Sequence, residues 1–122
     1  MSKIREHSPE LCASFHRAIE LVGRRWTGAI VFLLLKSRCR FATLRDAIPD
    51  ITDRMLSDRL RELEAEGIVE RTVVPETPVR VEYALTPKGK ALVKAFDAIS
   101  DWAHDWQSTA GTEPHGKRAK RR

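Results

Sequence analysis

Residues 40–71 read RFATLRDAIPDITDRMLSDRLRELEAEGIVER, and this stretch decides the fold. Its first half predicts a short amphipathic helix that ends at Pro49, because the residue before a proline disfavours the α conformation. Its second half predicts a helix over residues 52–66, which Thr52 caps, a leucine stripe anchors and Gly67 stops. Two helices joined by a turn of about four residues have the geometry of a helix-turn-helix.

Two strands are predicted directly after the helix pair, over residues 68–74 and 79–86. Apolar and polar side chains alternate along the second strand, which is the period of two of an extended chain. The loop between them, residues 75–78, reads PETP and is expected to be rigid, with few free N–H groups. A helix pair followed by a hairpin is the element order of a winged helix. The predicted fold class is therefore mainly α with a small β-hairpin wing (α+β).

Three more helices are predicted around this motif. The first begins at the capping pair Ser8-Pro9, where a proline costs little, and ends at Gly23. The second spans residues 26–36, is apolar on most sides and is expected to be central to the core. The last spans residues 86–107 and opens with a threonine cap followed by a proline.

The length and composition of the chain indicate one soluble globular domain. It has 122 residues, of which 42% are apolar and 32% charged. No apolar run is long enough to span a membrane and no secretion signal opens the chain, so a cytoplasmic location is expected. We expect residues 10–107 to form a winged helix-turn-helix domain, between a flexible lead over residues 1–9 and a disordered basic tail over residues 108–122.

The formal net charge of +5 lies mainly in the tail, because residues 111–122 hold five basic side chains against one acidic side chain. The overall charge therefore does not by itself indicate that the folded part binds nucleic acid. A local excess remains, since residues 24–45 hold six basic side chains and no acidic one. Positive charge next to a helix that contacts DNA bases neutralises the phosphates of the DNA backbone. A charged tail gives only unspecific, salt-sensitive attraction.

The helix over residues 52–66 has an outward face that suits base reading. A step of about 100° per residue places its leucines toward the core and leaves Arg54, Ser57, Asp58 and Arg61 outside. Arginine binds guanine edges or phosphates, serine binds either, and aspartate accepts from a cytosine amine. These side chains could also be an ordinary solvated face, but the helix-turn-helix and the wing around them favour DNA reading.

Other predicted DNA contacts lie beside this helix. Arg40 and Arg45 flank the first helix of the pair and suit phosphate contacts, which position a protein without reading sequence. Arg80 at the wing could reach a minor groove or a phosphate, or pair with Glu76 or Glu82 across the hairpin. The full predicted set of DNA-contacting residues is Arg40, Arg45, Thr52, Arg54, Ser57, Asp58, Arg61 and Arg80.

The chain resembles the HxlR-type winged-helix regulators of bacteria. The matching features, in order, are Cys12, the turn Gly23-Arg24-Arg25-Trp26, the pattern RF..L...IP.I..RML..RL.ELE..GIVER, the pattern VVPETPVRVEY.LT.KG.AL, and Trp102. The resemblance covers roughly residues 11–107 and implies a homodimer, formed by the first and last helices, that binds an inverted repeat of double-stranded DNA. We expect a repressor, and an activator is the alternative that the sequence leaves open.

The apolar stripe of the last helix supports the dimer independently, because it is large for a chain of this length to cover internally. A helix that packs only on its own domain is the alternative. The predicted interface comprises Leu11, Phe15, Ile19, Leu92, Phe96, Ile99, Trp102 and Trp106.

Cys12 is the candidate redox or effector site, because some members of the family sense oxidants or electrophiles with a cysteine at this position. Here Ala13 replaces the proline that usually follows, and the C-terminal end has no cysteine that could act as a disulfide partner. The N-terminal end of a helix favours the reactive thiolate, and His16 shares the face of Cys12. An adduct, a Cys12–Cys12 bridge between protomers and a bond to Cys39 all stay open, as does a role as a small buried hydrophobe. Cys39 lies between two arginines and is the less favoured sensor.

The sequence does not indicate an enzyme. The four histidines follow no metalloprotease spacing, no glycine-rich phosphate loop occurs, and a zinc site at Cys12 and His16 would lack further ligands. No catalytic residue, metal or cofactor is therefore predicted. The remaining rival is a winged helix that binds protein and does not touch DNA, which would not need Arg54, Ser57 and Arg61 on its outer face.

Overall fold

The computed structural model describes the backbone of residues 9–107 and the side chains of residues 13–107. It is mainly helical, with a small antiparallel sheet that carries the wing. Helix α1 begins at Pro9, as predicted, whereas its predicted cap Ser8, the lead and the tail lie outside the described residues. The elements are α1 (Pro9–Gly23), α2 (Thr27–Lys36), β1 (Cys39–Arg40), α3 (Phe41–Ala47), α4 (Asp53–Ala65), β2 (Val69–Val74), β3 (Arg80–Leu85) and α5 (Pro87–Trp106).

The helix pair α3 and α4 forms as the sequence predicts. Thr52 has extended backbone angles, and its Oγ1 accepts a hydrogen bond from the Met55 N–H at 3.1 Å, which caps α4. Asp50 in the turn has a positive φ of 68°, a conformation that asparagine and aspartate tolerate better than most residues. Gly67 ends α4 with a φ of 77°, where a side chain would be strained.

The sheet differs from the predicted two-stranded hairpin because β1 pairs with the free edge of β3. The strand order is β1-β3-β2, and Cys39 lies opposite Tyr83 in the register. Strand β3 is thus central, and all of its side chains are half-buried or buried rather than alternating between core and solvent. A strand of two residues is too short to show a period of two, so the sequence pattern does not reveal it.

The core lies between α2, the helix pair and the sheet. The buried side chains of α2 are Thr27, Ile30, Val31 and Leu34, which confirms its central place. The exposure of apolar side chains on its outer face was not expected, however: Phe32 is 57% and Leu35 45% exposed. The rest of the core consists of Leu44, Ile48, Ile51, Leu56, Leu60, Leu63, Ile68, Val69 and Leu85.

Three elements meet where α4 ends and α5 begins. The Thr86 hydroxyl donates to the Gly67 carbonyl and accepts from the Gly89 N–H at 3.0 Å, so it caps α5 and holds the end of α4. Lys88 Nζ donates to the Glu66 carbonyl oxygen at 2.8 Å. Gly89 is buried in this joint, where a Cβ would collide with the backbone carbonyl of Ile68.

We expect Gly89→Ala to lower the free energy of unfolding by about 1–3 kcal/mol, because the added methyl group meets backbone that cannot rotate away. Urea unfolding measures this change. The matched control is Gly23→Ala, because a Cβ there has nothing within 4 Å and should be neutral or stabilising. Equal stability of the two variants would contradict the close packing at Gly89.

Candidate nucleic-acid interface

The reading face of α4 is set by the side that its leucines bury. Leu56, Leu60 and Leu63 are each no more than 2% exposed. On the other side, the side chains of Arg54 and Arg61 are 90% and 71% exposed. The structure thus places both arginines on the outer face, as predicted.

Asp58 lies between these two arginines. Its Oδ2 is 4.0 Å from Arg54 Nε, and its Oδ1 is 3.6 Å from Arg61 Nη1. Arg61 Nη2 also donates to Ser57 Oγ at 2.9 Å. The four predicted reading residues therefore form one connected group, which holds the guanidinium groups in place and partly offsets their charge. Such exposed pairs exchange readily for phosphate or base contacts, since each is worth little in water.

Thr52 has a structural role at the start of this face. The cap hydrogen bond uses one of the two lone pairs of its hydroxyl oxygen, so the hydroxyl hydrogen and the second lone pair stay available to a ligand.

Arg45 joins α3 to the start of α4 through ion pairs, whereas the sequence analysis predicted that it contacts a DNA phosphate. Its Nη1 lies 3.3 Å from Asp53 Oδ1 at the start of α4, and its Nε lies 3.3 Å from Asp46 Oδ1. Hydrogen bonds to Asp46 and then to Asp53 raise the pKa of Arg45 above its ordinary value, so the group stays charged. Arg45 would have to leave these carboxylates to bind phosphate through the same nitrogens. By contrast, Arg40 is exposed and forms no ion pair in the described part of the chain.

Arg80 pairs with both Glu76 and Glu82 of the hairpin, which is one of the two alternatives that the sequence left open. Its Nη1 donates to Glu76 Oε1 at 2.7 Å and its Nε donates to Glu82 Oε2 at 2.9 Å, and the side chain is only 28% exposed. Glu82 also lies 3.5 Å from Arg38 Nη1. The charge of Arg80 is thus offset within the wing, and its guanidinium stiffens the loop.

The sequence analysis did not predict the ion pairs of three arginines that bind carboxylates of α4 and the wing. Arg38 joins β1 to the wing, while Arg24 and Arg59 both bind Glu62 on α4. The pairing of Arg59 with Glu62 follows helical spacing and could have been found. The other two pairs join residues 38 or more positions apart, for which the local sequence carries no signal.

The predicted dimer surface is divided in two by the structure. Phe15, Ile19, Ile99, Trp102 and Trp106 are between 39% and 60% exposed. Leu92 and Phe96, in contrast, are half-buried against the core, and Phe96 packs over Gly28 of α2. The first half of the predicted stripe on α5 therefore also covers α2 of its own domain, whereas the second half is exposed in the single chain. The side chain of Leu11 lies outside the described part.

The two cysteines differ in what the structure describes. Cys12 falls in the first turn of α1, but its side chain lies outside the described residues. Cys39 is half-buried, and its thiol donates to the Ser37 carbonyl at 3.4 Å. Burial raises the pKa of Cys39, and the side chain of Ser37 only partly opposes this. Cys39 is therefore mainly a neutral thiol, although arginines flank it.

Within residues 9–107, no helix has the length and apolar character needed to cross a membrane. No cluster of three or more histidine, cysteine, aspartate or glutamate side chains in the described part could hold a metal ion.

Comparison with known proteins places the chain among transcriptional regulators. The profile of the HxlR-like helix-turn-helix family matches residues 21–110. The chain is 50% identical over 97 residues to the HTH-type transcriptional regulator YvaP of Bacillus subtilis, which covers 80% of this chain and 90% of that relative. It is 45% identical over 93 residues to the HTH-type transcriptional regulator YodB of the same organism. This match covers 76% of this chain and 83% of YodB.

Solved structures agree with this assignment. The reduced form of the transcriptional regulator YodB from B. subtilis superposes with a TM-score of 0.70 at 41% identity and covers 84% of this chain and 96% of its own. The redox regulator HypR in its reduced form superposes with a TM-score of 0.74 at 32% identity. The match covers 82% of this chain and 99% of the HypR chain. The winged-helix fold predicted from the sequence is thereby confirmed.

Proposed function

The chain belongs to the HxlR-like helix-turn-helix family of transcriptional regulators, and we propose that it represses transcription by binding an inverted-repeat operator as a homodimer. It is a regulator and not an enzyme. One observation carries the proposal: α4 is rotated so that its buried leucines leave Arg54, Ser57, Asp58 and Arg61 on one outer face. This is the surface that a recognition helix presents to the major groove.

Each side chain of this face has a distinct role in the proposal. Arg54 lies in the first turn, which enters the groove most deeply, and it reads a guanine edge together with Arg61. Ser57 and Asp58 hold the arginines before binding, and Asp58 accepts from a cytosine amine once DNA is present. Arg40 binds a phosphate, because it is exposed and its side chain forms no ion pair with the described residues that it would have to leave.

A homodimer places two of these helices on one operator. The support is the apolar surface on α1 and the second half of α5, whose two tryptophans are more than half exposed in the single chain. Aromatic side chains of this size are typical anchors of protein interfaces. Two-fold symmetry then requires half-sites that are spaced by about one helical turn or a multiple of it, roughly 34–36 Å.

Release of the operator by an oxidant or electrophile is proposed to act through Cys12. The support is the place of Cys12 in the first turn of α1, within the proposed interface, and the description of the relative HypR as a redox regulator. An electrophilic quinone would add to the thiolate and take the thiol proton on its oxygen. Diamide would instead accept two hydrogens as two thiols form a disulfide. Either product changes the surface of α1.

We expect Arg54→Ala and Arg61→Ala each to weaken operator binding by about 1–3 kcal/mol and to relax specificity at one base pair. The probe is a duplex that the wild-type protein selects from a random pool, and the measurement is fluorescence anisotropy at several salt concentrations. Lys94→Ala is the control, because this exposed lysine lies on α5, away from the reading face. Retention of random and selected duplexes with equal affinity by the wild type would favour a protein-binding winged helix instead.

We expect Trp102→Ala to weaken the dimer by about 2 kcal/mol, since the substitution removes a large anchor from the proposed interface. Sedimentation equilibrium measures the monomer fraction over a concentration series. Phe32→Ala is the matched control, because Phe32 is equally exposed but lies on α2, outside the proposed interface. If Phe32→Ala dissociates the dimer and Trp102→Ala does not, the interface is formed by α2.

We expect diamide and benzoquinone to release the operator from the wild type and from Cys39→Ser, but not from Cys12→Ser. The reason is that Cys39 is half-buried and its raised pKa keeps it protonated. Anisotropy follows release, and non-reducing gels distinguish an adduct from a bridge between protomers. Resistance of Cys39→Ser to diamide alone would indicate a Cys12–Cys39 bond. Release from Cys12→Ser would exclude Cys12 as the switch.

A further inference from the structure

An ion link joins the reading helix to the turn that follows α1. Glu62 lies in the last turn of α4, and its Oε1 is 3.4 Å from Arg24 Nε in the turn between α1 and α2. The same oxygen accepts a hydrogen bond from Arg59 Nη1 at 2.7 Å. Because Arg59 is only 17% exposed, it fixes the carboxylate within α4 and directs it toward Arg24.

The link lies at the point where α1 is attached to its own domain. All described side chains of residues 13–20 are exposed, whereas Leu21 and Val22 are half-buried and Leu21 packs against the core. Helix α1 therefore lies loosely beside the end of α4 and the start of α5, where Arg17 and Ala18 line a shared cavity with Ile68, and it packs most closely at its C-terminal end. A small rotation at this end moves the far end of a 15-residue helix by a larger distance.

The turn itself is built to resist such a rotation. Trp26 has a positive φ of 78°, an uncommon backbone conformation for a bulky residue. The guanidinium of Arg25 stacks over the Trp26 ring at 4.4 Å. Together with the ion link, these contacts connect the direction of α1 to the position of α4.

We propose that Arg24 and Glu62 are positioning residues that set the angle between α1 and the reading helix, and so determine the operator spacing that the dimer accepts. The inference rests on the proposed function, because α1 must form the dimer contact for its angle to separate the two reading helices. A change of one base pair moves a half-site by about 3.4 Å along the duplex, so a small change of angle alters the preferred spacing.

The exposure of the pair separates this role from a role in stability. The two side chains are 48% and 40% exposed, and pairs of this kind add little to the free energy of unfolding. Arg24→Gln should therefore change spacing selectivity while the unfolding midpoint stays the same. Glu62→Gln also removes the charged partner of the little-exposed Arg59 and should lower the midpoint, so Arg24→Gln is the variant that separates the two roles.

The test compares Arg24→Gln and Glu62→Gln with matched controls. Lys90→Gln makes the same charge change as the first on an exposed site of α5, and Glu64→Gln makes the same change as the second on an exposed site of α4. Probes are the selected inverted repeat with its own spacer, the same repeat with one base pair added or removed, and a single half-site. Affinities come from anisotropy and stabilities from thermal unfolding.

We expect both variants to reduce the preference for the native spacer by about threefold to fivefold, which is the size that an exposed ion pair can supply. The two control variants should keep the wild-type preference for the native spacer. The affinity for a single half-site should change by the same factor in each variant and in its matched control. The two variants change net charge in opposite directions, so a bulk electrostatic effect would shift their affinities oppositely and leave the spacing preference intact.

That second pattern would overturn the inference, as would a loss of preference in Arg24→Gln that tracks a lowered unfolding midpoint. A wild-type protein that binds the repeat with no preference for spacing would overturn the inference alone. A wild-type protein that selects no duplex at all would overturn the proposed function.

Discussion

Burial of the leucine stripe on α4 is the constraint on which the rest of the structure depends. Leu56, Leu60 and Leu63 are almost fully buried, and each such side chain contributes about 1.5–3 kcal/mol relative to an exposed one. A rotation of α4 about its axis would expose them, so the core determines which side faces outward. The cap at Thr52 and the stop at Gly67 then determine where along the axis that face begins and ends. The reading face is thus a consequence of core packing.

The electrostatics of this surface are more balanced than a count of arginines suggests. Arg54 and Arg61 share Asp58, while Arg45 and Arg80 are each held between two carboxylates. The carboxylates therefore offset part of the positive charge of this surface, and the exposed pairs at Arg54 and Arg61 are each worth little in water.

The domain buries one apolar surface and leaves another open. The first half of α5 covers α2 through Phe96, whereas Trp102 and Trp106 of the second half are more than half exposed. On α1, Phe15 and Ile19 are 39% and 49% exposed. The reading face and this open surface lie on different helices, and the link from Glu62 to Arg24 connects the two.

The sequence by itself determined the order of the five helices and the two wing strands, both ends of α4 and the side of α4 that faces outward, because caps, stops and helical periodicity act over a few residues. It also predicted the winged-helix class through the order of these local signals. Only the tertiary structure decided that Arg45 and Arg80 are held in ion pairs, that β1 completes the sheet, and that Phe96 turns inward. The pairing of β1 with β3 and the contact of Phe96 with α2 join residues that are distant in the chain. Arg45 and Arg80 pair with carboxylates nearby in the chain, but the local sequence leaves more than one partner open to each. Which of them form depends on the three-dimensional packing of the helices and strands.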